Sequence, residues 1–411
     1  MKQWSSANPG FPSEVSMSPL TPPLSQRLDG LRSSAIRDLL KLTARADIIS
    51  LAGGLPDAEL MPRDRIARAA DAALTDRSRL QYTESPGWGP LREVLAARES
   101  TRLARPVPID EVFVTHGSQQ ALSLLAEVLL DPGALVVVED PAYVGALQVF
   151  RAAGARIEAV PLDADGMRLD VLRELLARGA RPAVVHTVSN FHNPGGVTLL
   201  PERRRELAEL AETYGFWIIE DDPYGELWFD RPSPEPVATY SPNVIRLSSS
   251  SKILAPALRV GWMVAPTRVC RAVELLKQGA DLCGSALTQQ IVTDLLADAE
   301  WLAAHVDSVR TAYGSRAKAL VDAVRARFGD AVVSTDAAGG MFVWVDFADG
   351  TDTDALLPAA LDAGVAYVPG SAFAVATDYS HAMRLCFTTS DAETLGRAID
   401  RLAGAHAAGR G

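Results

Sequence analysis

The chain has 411 residues, 48% hydrophobic and 22% charged, the balance of an ordinary globular protein with room for one to three domains. A net charge of −11 argues against a nucleic-acid-binding surface, and no apolar run approaches the roughly 18 residues of a membrane span. Cys270, Cys283 and Cys386 have neither metal-ligand spacing nor the look of a disulfide framework, and the N-terminus lacks a secretion-signal plan, so the cytoplasm is the expected compartment.

In chain order, residues 1–27 read as a mobile tail, with Pro9, Pro12, Pro19, Pro22 and Pro23 among Ser, Asn and Gly. Residues 33–42 have the spacing of a short amphipathic helix, and Leu51-Ala-Gly-Gly-Leu-Pro56 makes a glycine-marked turn. Strand-like runs follow at 112–115, 135–139, 183–188, 216–220, 244–247 and 260–265. Helical spacing lies between several of them, as at 119–130 and 202–214. Continuous apolar strands alternating with helices predict an α/β fold whose sheet is mostly parallel and covered on both faces. Ligands then sit beyond the carboxyl ends of the strands. A long helix over 301–328 and strands at 340–347, 365–368 and 383–387 predict a smaller α+β unit. The expected division is 1–27, 28–60, 61–294 and 295–411.

Chemistry gathers around Lys252, which ends the run Ser248-Ser-Ser-Ser-Lys and precedes Arg259 by seven positions. A lysine amine condenses with an aldehyde, and hydroxyls with a guanidinium suit a phosphate on the same cofactor. Thr115-His-Gly-Ser-Gln-Gln-Ala121 offers the rest of a phosphate site: a strand ends, Gly117 permits a tight turn, and Ser118 opens a helix. Ser118 reads equally as a plain helix cap. Ser249 and Arg259 would add side-chain contacts.

A cofactor with a pyridine ring needs a carboxylate at the ring nitrogen. Glu220-Asp-Asp-Pro-Tyr224 closes a strong apolar run, with Asp221 as the candidate and Asp222 as a turn former. A Mg²⁺ site is the competing reading of these acids, but no partner loop for a metal-bound phosphate lies nearby, so no metal is expected. Asn193 and Tyr224 have the chemistry to contact a ring hydroxyl, and Tyr143 the face to stack on the ring; each also has a bland reading as turn or packing residue. Arg384, inside an apolar strand, suits a substrate carboxylate or an edge-strand charge.

These stretches together resemble a fold type I pyridoxal-phosphate enzyme of the class I/II aminotransferase family, from about Leu28 to the C-terminus. The spaced set is Gly117-Ser118-Gln119, Tyr143, Asn193-Pro-Gly195, Asp221-x-x-Tyr224, Ser249-x-x-Lys252, Arg259 and Arg384. The resemblance implies a large domain with a mostly parallel seven-stranded sheet, a smaller α+β domain, and pyridoxal 5'-phosphate joined to Lys252. It implies amino transfer from an L-amino acid to a 2-oxo acid by a ping-pong route, with Asp221 at the pyridinium and Tyr143 stacked on the ring. By the same resemblance Asn193 and Tyr224 meet the ring hydroxyl, while Gly117, Ser118, Gln119, Ser249 and Arg259 hold the phosphate. Tyr82 resembles a tyrosine that reaches the phosphate of a neighbouring subunit, which implies a homodimer with shared sites; its bland reading is a packed loop aromatic.

Within the family, Ser-x-Ile-Arg-x-Leu-Leu-Lys-Leu and Leu-Ala-Gly-Gly-Leu-Pro resemble the 2-aminoadipate, kynurenine and broad-range branch. There residues 28–60 cover the site, with Gly54 at the substrate and Arg37 offered to a side-chain carboxylate; Arg37 reads equally as a surface residue. Leu55 and Phe373 could favour aromatic or branched substrates instead. Two rivals share these motifs. One is another reaction on the same cofactor (β-lyase, decarboxylase, oxidase or hydroxylase), and the other is a ligand-sensing regulator domain.

Overall fold

The pleat of the buried strands sorts their side chains into two cores. In the computed structural model, which describes residues 47–409, a two-residue strand β1 (Ile49–Ser50) precedes the main sheet. That sheet contains β2 (Val112–Thr115), β3 (Leu135–Asp140), β4 (Arg156–Asp163), β5 (Gly166–Met167), β6 (Val184–Thr187), β7 (Trp217–Asp221), β8 (Val244–Ser249) and β9 (Gly261–Val264). Val136, Val138, Val184, Ile219 and Met263 enter one core, while Val137, Val185, Ile218, Trp262 and Val264 enter the other. This alternation is the two-residue period of a strand, and burial on both faces is why these runs are apolar throughout.

The strand order is β2-β9-β8-β7-β6-β3-β4-β5. Neighbours from β8 through β4 run parallel, whereas β9 is antiparallel to both β2 and β8. The seven expected strands are joined by β5, which folds back on β4 at the edge. Strand β4 escapes detection by pattern because Arg156, Glu158 and Pro161 interrupt it, and these are residues an edge region tolerates.

The second sheet has the order β10-β11-β14-β13 and is antiparallel, from β10 (Val332–Ser334), β11 (Phe342–Phe347), β13 (Val368–Pro369) and β14 (Ala382–Cys386). The strand expected at 365–368 divides at Tyr367, because β12 (Val365–Ala366) turns away to pair with β1. The residues after β1 are thereby drawn toward the second sheet: Leu51 N–H donates to the Ala366 carbonyl, and its own carbonyl accepts from Cys386 N–H. The 30-residue helix Ala299–Phe328 starts where Asp298 caps Trp301 N–H at 3.2 Å. The tail and the 33–42 helix lie outside the described residues. No described helix is long and apolar enough to cross a membrane.

One buried ionic cluster braces the sheet just behind its ligand edge. Arg246 on β8 donates to Glu99 at 3.0 Å and to Asp222 at 2.8 Å, and Trp262 Nε1 donates to the other Glu99 oxygen at 2.9 Å. Burial works against the Arg246 charge, but its carboxylate neighbours outweigh this and hold its pKa above the ordinary value. Removing the guanidinium leaves two buried carboxylates, Glu99 and Asp222, without their countercharge. Arg246→Ala should therefore destabilise the fold by about 3–5 kcal/mol, read as a lower urea midpoint. A midpoint within error of the parent would show that water or neighbouring donors replace the guanidinium.

Candidate active site

Asp221 is the last residue of β7 and is 2% exposed. It faces the same side as His186, whose Nε2 lies 3.8 Å from Oδ2, while Oδ1 has no hydrogen-bond partner. The flanking acids face the opposite way. Glu220 accepts from Ser189 Oγ and from Val237 and Ala238 N–H, and Asp222 pairs with Arg246. Asp222 thus does more than shape the turn, because it anchors a buried arginine.

Lys252 follows β8 in a turn set by hydroxyls. Ser249 Oγ donates to Ser251 Oγ at 2.8 Å and accepts from Ser251 N–H at 3.1 Å, and Leu254 N–H returns to the Ser250 carbonyl. The Lys252 amine donates to the Gly54 carbonyl at 3.1 Å. Burial lowers its pKa to about 8; the guanidinium groups of Arg384 and Arg259 act the same way, against the Cys386 thiol. Much of the amine is therefore neutral near pH 8, as a nucleophile requires.

At the end of β2, Gly117 has φ +73° and begins the helix Gly117–Leu129, whose first-turn N–H groups have no partners within the helix. Arg259 donates to the His116 carbonyl at 2.8 Å. A Cβ on Gly117 would sit 2.7 Å from the Arg259 guanidinium, and a Cβ on Gly261 only 2.7 Å from Ser118 N. The glycines hold open a small cradle between a helix N-terminus and a cation, the arrangement that binds phosphate. Gly261 escaped the sequence reading, although a glycine inside an apolar strand signals close backbone approach.

Tyr143 and Gln119 are fastened together: the phenol donates to Gln119 Oε1 at 3.2 Å, and Gln119 Nε2 donates to the Gly145 carbonyl at 3.2 Å. Burial first, and then the Asp221 carboxylate, push the Tyr143 pKa above its ordinary value. Tyr224 is raised by burial, by Tyr143 and by Asp221. Both phenols accordingly stay protonated and belong to the Asp221 neighbourhood.

Arg384 comes from β14 of the other sheet and is 2% exposed. It donates to Asn193 Oδ1 at 2.8 Å and to the Ala52 carbonyl at 2.7 Å, both neutral acceptors, and Nε has no partner. The rings of Phe342 and Phe373 lie 4.2 and 5.0 Å from its central carbon. Burial lowers its pKa to about 10, which leaves it charged at neutral pH.

The residue before Asn193 is fixed as well. His192 Nδ1 accepts Gly195 N–H at 3.0 Å, and His192 Nε2 lies 3.1 Å from Glu139. Among the described residues, Tyr82 stands apart from the cluster. Tyr82 is 76% exposed and lines a surface cleft of about 570 Å³ with Asp281, whose carboxylate lies 3.1 Å from His116. Arg37 lies outside the described residues. A larger cleft of about 920 Å³, between the helix Ala299–Phe328 and Trp228–Asp230, is lined by none of the expected site residues.

The chain matches the description "Aminotransferase class I and II" over residues 46–402. It belongs to that family. It is 39% identical to an aromatic-amino-acid aminotransferase of Thermococcus litoralis, covering 92% of this chain and 93% of the relative. A kynurenine aminotransferase from Pyrococcus horikoshii, solved in complex with PMP, superposes with a TM-score of 0.89 at 38% identity, covering 94% and 97% of the two chains. An α-aminoadipate aminotransferase from Thermus thermophilus, complexed with N-(5'-phosphopyridoxyl)-L-leucine, superposes with a TM-score of 0.87 at 34% identity, with 94% and 97% covered.

The protein is thus a pyridoxal-phosphate-dependent aminotransferase of fold type I. Its residues fit that cofactor. The unpartnered Asp221 Oδ1 suits a ring N–H, the Gly117–Gly261 cradle with Arg259 suits the phosphate, and the weakly basic Lys252 amine suits the aldehyde.

Proposed function

We propose that this aminotransferase moves the α-amino group of an L-amino acid to a 2-oxo acid at the cluster around Lys252. We further propose that its donors carry aromatic or long acidic side chains. The observation that carries the reading is Arg384: a buried guanidinium bound to neutral acceptors, with Nε unpartnered, suits the two oxygens of a substrate carboxylate. The substrate class is supported by the names of the relatives and by Phe342 and Phe373 beside Arg384. Arg37 keeps its proposed role toward an acidic side chain.

Bound pyridoxal phosphate supplies an aldehyde for capturing amines and an electron-withdrawing ring that stabilises negative charge at the substrate α-carbon. Arg384 holds the α-carboxylate and so aims the Cα–H bond toward Lys252. The Lys252 amine takes the α-proton and returns it, as general base and then general acid. Asp221 Oδ1 would keep the ring nitrogen protonated, Tyr143 would cover the ring, and Asn193 and Tyr224 would bond the ring oxygen. Ser118, Gln119 and Ser249 would join Arg259 in holding the phosphate, and the Gly54 carbonyl orients the lysine.

The exposure of Tyr82 supports its use by a second copy, in a homodimer with shared sites. The β1–β12 pairing supports grouping residues 28–60 with the small domain 295–411, apart from the large domain 61–294. The cytoplasm is our proposed location.

Loaded enzyme should convert L-amino acids to 2-oxo acids only when 2-oxoglutarate or pyruvate is present, with parallel double-reciprocal lines. Oxygen uptake, or ammonia release without an acceptor, would overturn the transfer reading. The lysine also sets a pH dependence. Only the neutral amine attacks an aldehyde, so cofactor capture by apoprotein should quicken as pH rises, about tenfold per unit below the Lys252 pKa and little above it. Stopped-flow absorbance measures this, and a rate still climbing tenfold per unit beyond about pH 9 would contradict it.

A further inference from the structure

We infer that Asp140 is a positioning residue for the substrate carboxylate: it fixes the segment that presses Phe373 against the Arg384 guanidinium. The inference rests on the proposed role of Arg384.

Asp140 ends β3 and is 1% exposed. Its Oδ1 accepts Val375 N–H at 3.0 Å, and its Oδ2 accepts Ala376 and Thr377 N–H at 3.2 and 2.8 Å. Its carbonyl accepts the Tyr379 hydroxyl at 2.8 Å, and two residues later Ala142 N–H donates to the Phe373 carbonyl at 2.9 Å. The end of a strand in the main sheet is thus bonded to residues 373–379, which belong to the chain between β13 and β14. Ala376, Thr377 and Asp378 are exposed, so apolar burial does not hold them, and the three N–H bonds to one carboxylate supply the anchor.

An ionised carboxylate suits this post because both oxygens accept. An amide would turn an NH2 group toward N–H donors and lose at least one bond. Burying the charge is tolerable because three N–H groups share it.

What the anchored segment carries is Phe373. Its ring is fully buried, 5.0 Å from the Arg384 central carbon and edge-on to Trp344 at 5.9 Å. Trp344 stands opposite Arg384 in the β11–β14 register, and Tyr379 packs on the other end of this arrangement, edge-on to Trp344 at 5.8 Å. Three residues after Asp140 comes Tyr143, held by Gln119 in the Asp221 neighbourhood. One strand end therefore sets both the aromatic beside Asp221 and the ring that fixes the pose of the carboxylate-binding guanidinium.

Asp140→Asn, Phe373→Leu, the double variant and Arg384→Lys test this in cofactor-loaded enzyme. For Asp140→Asn, KM for the amino acid should rise about tenfold, with kcat within about threefold and cofactor affinity unchanged. Hydrogen exchange at Val375, Ala376 and Thr377 should quicken. Phe373→Leu should reproduce the rise in KM without the faster exchange, and the double variant should be no worse than the more affected single one, because both act on one contact. Faster exchange with KM unmoved would overturn the inference, as would a raised KM accompanied by losses of kcat, cofactor affinity and melting temperature together. If Asp140→Asn does not fold, an unaltered KM in Phe373→Leu overturns it alone. If Arg384→Lys leaves KM unchanged, the proposed carboxylate site fails first. A raised KM in that variant beside normal Asp140→Asn and Phe373→Leu enzymes sinks only the present inference.

Discussion

Lys252→Ala should abolish transamination to within about 10³–10⁴-fold of the parent rate and, after borohydride treatment, leave no pyridoxyl group on the polypeptide. Two properties of the residue lie behind this. Its amine has a pKa lowered to about 8 by burial, so a nucleophilic fraction exists near neutral pH, and it is tethered to the Gly54 carbonyl at 3.1 Å, which limits where it can swing. Alanine would remove both the proposed covalent anchor and the proposed proton carrier. The proposed phosphate site at the Gly117–Gly261 cradle is unaltered, so the variant should still bind the cofactor, more weakly and without covalent attachment. Mass spectrometry of the borohydride-treated variant decides the point. A pyridoxyl label on another lysine with turnover retained would transfer the chemistry to that residue.

Asp221→Asn should cut the rate of the amino-acid half-reaction by about 10²–10³-fold and leave KM nearly unchanged. Asparagine keeps the shape and loses the charge. In the native protein Oδ1 is buried and unpartnered while Oδ2 faces His186 at 3.8 Å, so the carboxylate is positioned and one oxygen remains to meet a ring N–H. Without the negative charge the ring nitrogen loses its proton more readily, and charge arising at the α-carbon has nowhere favourable to spread. The proposed carboxylate site at Arg384 is untouched, hence the small expected effect on KM. Single-turnover absorbance with excess amino acid measures the step, and a rate within about threefold of the parent would show that ring protonation does not limit it.

How much of this was visible in the chain depends on how each residue announces itself. Asp221 closes an apolar run and Arg384 interrupts one, where a charge requires an explanation, while Lys252 stands out by following four serines and preceding Arg259 by seven positions. The structure brings all three to one locality with Tyr143, Tyr224 and Asn193. Gly261 and Asp140 do not stand out, because their neighbours in space are remote in sequence: Ser118 for the first, Val375–Thr377 for the second. Strand β4 was hidden for the converse reason. Its Arg156 and Glu158 alternate with Ile157 and Ala159, but Pro161 breaks the run, and the whole element becomes plain only in its pairing with β3. The division of β12 from β13 at Tyr367 likewise follows from a partner, β1, more than 300 positions away. Local chemistry was legible, and long-range pairing was not.

The acids at the end of β7 carry one further lesson. Written as letters, Asp221 and Asp222 look like duplicates, yet a strand's pleat sends them to opposite layers, one beside His186 and the other onto Arg246. A single-residue deletion upstream in this strand would shift each acid by one place, moving Asp222 to the position beside His186 and putting Pro223 where the partner of Arg246 had been. Mutational libraries that treat the pair as interchangeable should show tolerance at neither site, each for its own reason: lost turnover at the first, lost folding at the second.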